Sequence, residues 1–515
     1  MKRLLSAIVV AVAMSANAVV TWEKIGGIQV VDATGLTSAV MRLGEISGNS
    51  MVGAMLATKI MEMPSNGFFG PMRQGASLYF PLYVDSDKLA DANDAEDFGN
   101  AVEHAVVYPM ALPKEEFIGM HPGAVETNGM LLVEGEMFTP EEEWDEDSQV
   151  YVVFSEDGRW AAASDRPEQA VIALGDVALA SRPMTDDIVR LELSPRGVAA
   201  FCKVIDNDAQ RELLSGLDGV SSALRIGDAG VDIHGYLRTA EGSQLSKYGE
   251  VQTSGDPFAF DNGESVAALS DSLADQSGFA ADVRAAMEIC RTNGFDVAQF
   301  MSCIETANLC RITVDIPAAI RYFTNPSNKV DTVDVDKLFA ALTAEEEMQS
   351  TTINPATGVQ NISVVFAGYR PAYSASQRFA AVLPELKGRP LCYAGTYSIC
   401  ASVQAGLEAA LASMDDKKRA EIAPMVALFP KESAGGVATA YWRDGQEIRF
   451  ILRLSADELR RVTTGASAIF MYMMMRENER RYEAIDEECG EDCSFCDDDD
   501  DIIEDYEDED EEDED

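Results

Sequence analysis

Residues 150–174 read VYVVFSEDGRWAAASDRPEQAVIAL, and this stretch sets the fold expectation for the whole chain. Two apolar runs flank Glu156-Asp157-Gly158, and Asp-Gly between such runs is a strong hairpin signal because the tight turn needs positive φ. Ser164 and Asp165 stand where a helix cap belongs, with Pro167 in the first turn, where its missing N–H costs no hydrogen bond. The helix is expected to run through Ala170, Val171 and Leu174.

The same order of strand, tight turn, strand and helix recurs. Leu224–Thr239 gives LRI, a turn at Gly227-Asp228-Ala229-Gly230, then VDIHGYLR. Val437–Leu454 sets ATAYW and IRFILRL around Arg443-Asp444-Gly445, ahead of the capping box Ser455-Ala456-Asp457-Glu458. A looser copy starts at Gly358 with VQNISVVFAGY and continues into SASQRFAAVL. Near the N-terminus, Ile28–Val31 reads as a strand and Thr34–Ile46 as a helix with a Thr or Gly start. Hairpins alternating with helices predict an α+β fold, in which repeated β-hairpin–helix modules form antiparallel sheets with helices on one face. Copies in both halves suggest two similar lobes, 19–262 and 278–482, divided at the Gly-, Asp- and Ser-rich residues 256–277.

The two ends carry different signals. Lys2 and Arg3 precede an apolar stretch, Leu4–Met14, and Ala16-Asn17-Ala18 is a small-x-small site, so residues 1–18 read as a signal peptide and the protein as exported. Residues 483–515 hold 22 acids and no Lys or Arg, and such charge density predicts a disordered acidic tail. Ala466–Met475 (ASAIFMYMMM) is too short to span a bilayer and reads as buried helix core, or else as a Met-rich surface packing a partner.

Net charge is −48, and without tail and leader 66 acids still face 38 bases. An acidic body excludes the usual nucleic-acid binder, which needs a basic stripe, and attraction to anionic lipid. Partners expected on charge are cations or basic proteins, held by the tail.

Residues 151–174 and, upstream, residues 78–89 (LYFPLYVDSDKL) share a pattern of strand, Asp or Pro turn and Ser or Asp before a helix. In this the first half of the chain resembles a module of large, uncharacterised exported proteins of planctomycete- and verrucomicrobium-type bacteria. The resemblance implies export and a module fold; it supplies no activity and no site residues.

Candidate chemistry is sparse. Cys489, Cys493 and Cys496 have the C-x₃-C-x₂-C spacing of radical-SAM clusters, but they lie at the end of an exported chain instead of after a first barrel strand. With nearby carboxylates they are candidate zinc or copper ligands, one ligand short of a complete set. Among nine cysteines, Cys392–Cys400 and Cys303–Cys310 are the disulfide candidates, with Cys290 a rival partner and Cys202 a buried thiol. The acids around Asp85–Asp97 and Asp331–Asp336 lack the spacing of a calcium loop and read as helix caps. His104, His121 and His234 form no catalytic motif, so no catalytic residue and no cofactor is nominated. These readings lead to an exported, non-enzymatic binding or scaffold protein of the periplasm or cell envelope. The alternative is an exported hydrolase with its site between the lobes.

Overall fold

A sixteen-stranded antiparallel sheet forms the frame of the protein in a computed structural model. The structure describes residues 22–62, 76–92, 95–134, 149–184, 186–205, 214–243, 245–249, 255–258 and 372–489, with a few isolated positions and short strands besides. The expected leader, Cys290, Cys303, Cys493, Cys496, the Asp331–Asp336 cluster and residues 490–515 lie outside the described residues.

The first half contributes β1 (Trp22–Val30), β2 (Leu78–Asp85), β3 (Val102–His104), β4 (Val106–Pro109), β5 (Val125–Thr127), β6 (Met130–Glu134), β7 (Gln149–Phe154), β8 (Trp160–Ser164), β9 (Asp187–Leu193), β10 (Leu217–Gly227) and β11 (Gly230–Thr239). The second half adds β12 (Ala267–Asp271) and β13 (Cys310–Thr313). A separate pair, β14 (Gln349–Ile353) and β15 (Gln360–Val364), precedes β16 (Tyr393–Tyr397), β17 (Val437–Asp444) and β18 (Glu447–Ser455). The sheet order is β13-β12-β16-β17-β18-β11-β10-β9-β1-β2-β4-β8-β7-β6-β5, with β3 on β2. Each half of the chain thus supplies one unbroken block. The blocks join where β11 pairs with β18, from Gly230↔Ser455 to Arg238↔Glu447.

The hairpins form where the turn chemistry places them. Gly158 and Gly445 take positive φ (65° and 63°) in the β7–β8 and β17–β18 turns, and Asp157 accepts hydrogen bonds from the Ser155 hydroxyl and the Arg159 N–H. Asp85 caps the next helix by accepting from Asp87 and Lys88 N–H, and Ser374 with Gln377 forms a complete capping box for Ala375–Val382. Two expected caps are redrawn. Asp32, not Thr34 or Gly35, starts the first helix (Ala33–Ser47), because its carboxylate reaches the Gly35 N–H. Arg166 stands at the N-cap of Pro167–Ala173 without a side-chain bond, while the Ser164 hydroxyl donates to the buried Gln169.

Helices cover both faces of the sheet, not the single face expected. On one face Phe379 and Val382 of Ala375–Val382 pack onto Ala438, Ala440 and Ile451. On the same face, at the other end, Ala173 and Ala180 pack onto Tyr79, Tyr83, Val107 and Ala162. Val198 and Cys202 of the helix Pro195–Lys203 pack with Leu193, Val220 and Leu237. His234 is paired with Ile451, and Leu237 lies an odd number of residues away, so period-two alternation places that helix on the opposite face. Burying a side chain such as Phe379 contributes about 1.5–3 kcal/mol, so each cover is a substantial anchor.

The last helix, Ala456–Cys489, contains Glu483–Cys489, the first part of the expected tail. Good helix formers in RENERRYEAIDEE continue it past the Met-rich run. Phe470, Met471, Met473, Met474 and Met475 are half or more exposed there, so the run is surface and not core. No helix among the described residues is long and apolar enough to cross a membrane.

A candidate anion-binding groove

Among the described residues, the middle of the sheet lies open between the two helical covers of one face. Its floor is a cross-strand row of register partners: Trp442 on β17, Arg449 on β18, Tyr236 on β11, Ser221 on β10, Glu192 on β9 and Gly27 on β1. Five strand spacings make this row about 24 Å long. The parallel row is Ala440, Ile451, His234, Ala223, Arg190 and Gln29. Concavities of about 480 and 370 Å³ lie along it and share Tyr236. Gly27 is required here: a Cβ would stand 2.2 Å from the Tyr79 hydroxyl, so only glycine lets that ring lie flat over β1.

The lining is unlike the rest of the chain. Lys24, Arg182, Arg190, Arg225, Arg238, Arg389 and Arg449 face Asp187, Glu192, Asp218 and Glu385, an excess of bases in a chain where acids outnumber bases 88 to 40. Three of the bases lie over aromatic rings spaced along the groove: Arg389 over Trp442 at 5.2 Å, Arg238 over Tyr236 at 5.4 Å and Lys24 over Tyr79 at 5.3 Å. Such stacking holds a cation in place without consuming its N–H donors.

Most of these bases are fixed from behind by acids. Arg190 donates to Asp187 at 2.8 Å and Arg449 bonds Asp444 and Glu447 at 2.9 and 3.0 Å. Arg225 shares Asp232 with Arg453, whose guanidinium donates to both Asp232 oxygens at 2.6 and 2.9 Å and to the Val382 carbonyl at 3.0 Å. Burial alone would raise the Asp232 carboxyl; the hydrogen bonds and charges of Arg453 and Arg225 outweigh it and hold the group below the usual carboxylate range. Arg389 differs. It is exposed and makes no ion pair or side-chain hydrogen bond among the described residues. Beneath it, the buried Trp442 Nε1–H has no acceptor among the described residues. A guanidinium with no ion pair among the described residues makes this end the strongest place for an anion.

The three histidines separate. His104 is exposed and packs on Phe80 at 6.4 Å, and His121 packs on Phe117 at 4.8 Å. His234 lies in the groove with Nε2 2.9 Å from Asp187. Ser221 sits diagonally across from it but makes no hydrogen bond to the imidazole, so the pair lacks the nucleophile contact of a hydrolytic triad.

The paired thiol expected at Cys392 and Cys400 is corrected: the two are not joined. Cys392 precedes β16 and Cys400 lies in the first turn of Ile399–Ser413, so a strand of five residues stands between them. That strand spans about 16 Å, against a bridgeable Cα separation of about 4.4–6.8 Å. Cys310 lies in β13, Cys489 ends the last helix, and their intended partners fall outside the described residues. Among the described residues no group of His, Cys, Asp or Glu has the arrangement of a metal site.

Sequence reasoning missed the groove because its bases are scattered from residue 24 to residue 449. The available signal was the alternation in VDIHGYLR and IRFILRL, which puts Asp232, His234, Tyr236 and Arg238, and likewise Arg449 and Arg453 with Ile451 between them, on one face.

No family model matches this chain, and no curated protein matches it. One solved structure, titled as crystal form IV of TP0453, a Treponema protein, aligns at 11% identity with a TM-score of 0.22, covering 42% of this chain and 78% of that one. So low a score carries no argument, and the function is read from the groove itself.

Proposed function

We propose that the protein is an exported binding protein of the cell envelope and that the arginine-lined groove takes an anionic ligand. The observation that carries this reading is Arg389, whose guanidinium stacks on the Trp442 ring and has no ion pair among the described residues. The long row of aromatic–base pairs suits an extended polyanion better than a compact one. Export rests on the leader-type N-terminus and on the likeness of residues 78–89 and 151–174 to modules of exported proteins.

The test is titration of the chain with fluorescein-labelled poly-L-glutamate at low and high salt. Binding that weakens steeply with NaCl, and at least ten-fold in Arg389→Ala, supports the reading. Arg389 is exposed, so its loss leaves the fold intact, and an unchanged melting curve checks this. Absence of binding to the chain with its tail acids neutralised, or binding indifferent to Arg389, refutes it.

A further inference from the structure

Residues 497–515 read DDDDDIIEDYEDEDEEDED, sixteen acids in nineteen residues, and they belong to the same chain as the groove. We propose that this segment is the groove's resident occupant, an internal polyanion that an external anionic ligand must displace. The inference rests on the anion-binding reading above and names the occupant that the groove meets first.

Three observations carry it. The first is complementarity. Seven bases line the groove; six of them are ion-paired, Arg389 has no ion pair among the described residues, and the segment is the densest run of acids in the sequence. Its Tyr506 and Ile502-Ile503 add apolar groups to the run, and Trp442 and Tyr236 line the groove.

The second is reach. The helix Ala456–Cys489 has 34 residues, hence about 51 Å at 1.5 Å per residue. It starts directly after β18, and Arg449 is six residues back along that strand, about 20 Å. The end of the helix is therefore at most about 71 Å from the groove, whatever its direction. The 26 residues after Cys489 extend to about 88 Å, so even at that upper bound about the last five residues reach the floor, and any shorter separation brings more of the acidic run to it.

The third is fit. At about 3.3 Å per residue, the ~24 Å row holds about seven extended residues. The acidic run is more than twice that length, so many registers are equivalent. Such binding is weak at each register and sustained by local concentration: a tether of this kind supplies an effective concentration on the order of 1 mM. A tail segment whose own dissociation constant is about 0.1 mM would at that effective concentration weaken any external polyanion about ten-fold.

The experiment compares the full chain with a full-length variant in which the sixteen acids of 497–515 are replaced by Asn and Gln. The probes are labelled poly-L-glutamate and a labelled synthetic peptide of residues 497–515, each titrated at low salt. The neutralised chain should bind both probes at least ten-fold more tightly than the natural chain, and Arg389→Ala in the neutralised chain should remove most of that gain. Raising NaCl to 0.3 M should erase the difference between the two chains. Equal binding of both probes by the two chains overturns the occupancy while leaving the groove's anion affinity standing. If the neutralised chain binds neither probe, the anion-binding reading fails first and the occupancy with it. A gain that persists in Arg389→Ala and in Arg449→Gln places the tail elsewhere on the molecule and also overturns the proposal.

Discussion

Asp232→Asn is the sharpest probe of what holds the groove together. Asp232 is 3% exposed and Arg453 5%, and the two join β11 of the first half to β18 of the second across 221 residues of sequence. The substitution keeps the shape of the side chain but removes its charge. Arg453 is then left buried with one ion partner, Glu385 at 2.9 Å, which is 46% exposed and so compensates weakly, by at most about 1 kcal/mol. Breaking a buried pair by removing one partner costs about 3–5 kcal/mol, and the Glu385 contact trims this to about 2–4 kcal/mol. The pH dependence has a definite sign. The native carboxyl is held below its unfolded value, so its contribution is complete above about pH 4 and is lost as pH falls through the depressed native value. The natural chain should therefore lose stability in acid faster than the Asn variant, and the gap between them should close. Urea unfolding followed by tryptophan fluorescence, at neutral pH and in the acid range, measures both. In a double-mutant cycle, Arg453→Met should recover at least about 1 kcal/mol in the Asp232→Asn background, since the stranded charge is gone. A cost below about 1 kcal/mol at neutral pH, with no coupling, refutes the argument that this pair locks the two blocks.

Two further outcomes follow from single contacts. Gly27→Ala drives a methyl into the Tyr79 ring, 2.2 Å from the hydroxyl and 2.4 Å from Cζ, so it should cost about 1–3 kcal/mol in thermal unfolding. Tyr79→Phe should not rescue it, because the ring carbon clashes as well; full rescue by Phe would show that the hydroxyl alone is at fault. The Cys400 thiol is pushed up to about 12 by burial, with the Glu458 carboxylate beside it adding to the shift. Iodoacetamide at pH 8 should leave Cys400 unlabelled in the native protein and label it in urea, as read by peptide mass spectrometry; rapid native labelling would contradict its burial.

How far the sequence could be read depended on the range of each interaction. Gly158, Gly445, Asp85 and the Ser374–Gln377 box act within four residues, and each does what its local pattern predicts. Ser455 and Glu458 show the limit. The Ser455 hydroxyl accepts the Glu458 N–H as a capping box requires, but the fully buried Glu458 carboxylate turns to another helix. There it accepts from the Cys400 N–H at 2.7 Å and from the Ser433 hydroxyl, capping Ile399–Ser413 instead of its own N-terminus. The motif is identical in both uses; only packing decides which donor the carboxylate meets.

The sequence by itself determined the antiparallel α+β character, the turns, and the opposition between an acidic chain and its most acidic segment, because composition and short-range stereochemistry are local. The tertiary structure alone decided that helices cover both faces, that Cys392 and Cys400 stay apart, and that bases from residue 24 to residue 449 line one groove. Those outcomes depend on which strand pairs with which, above all β11 with β18, and on register. A one-residue slip there would turn Tyr236 and His234 to the opposite face and leave no groove to read.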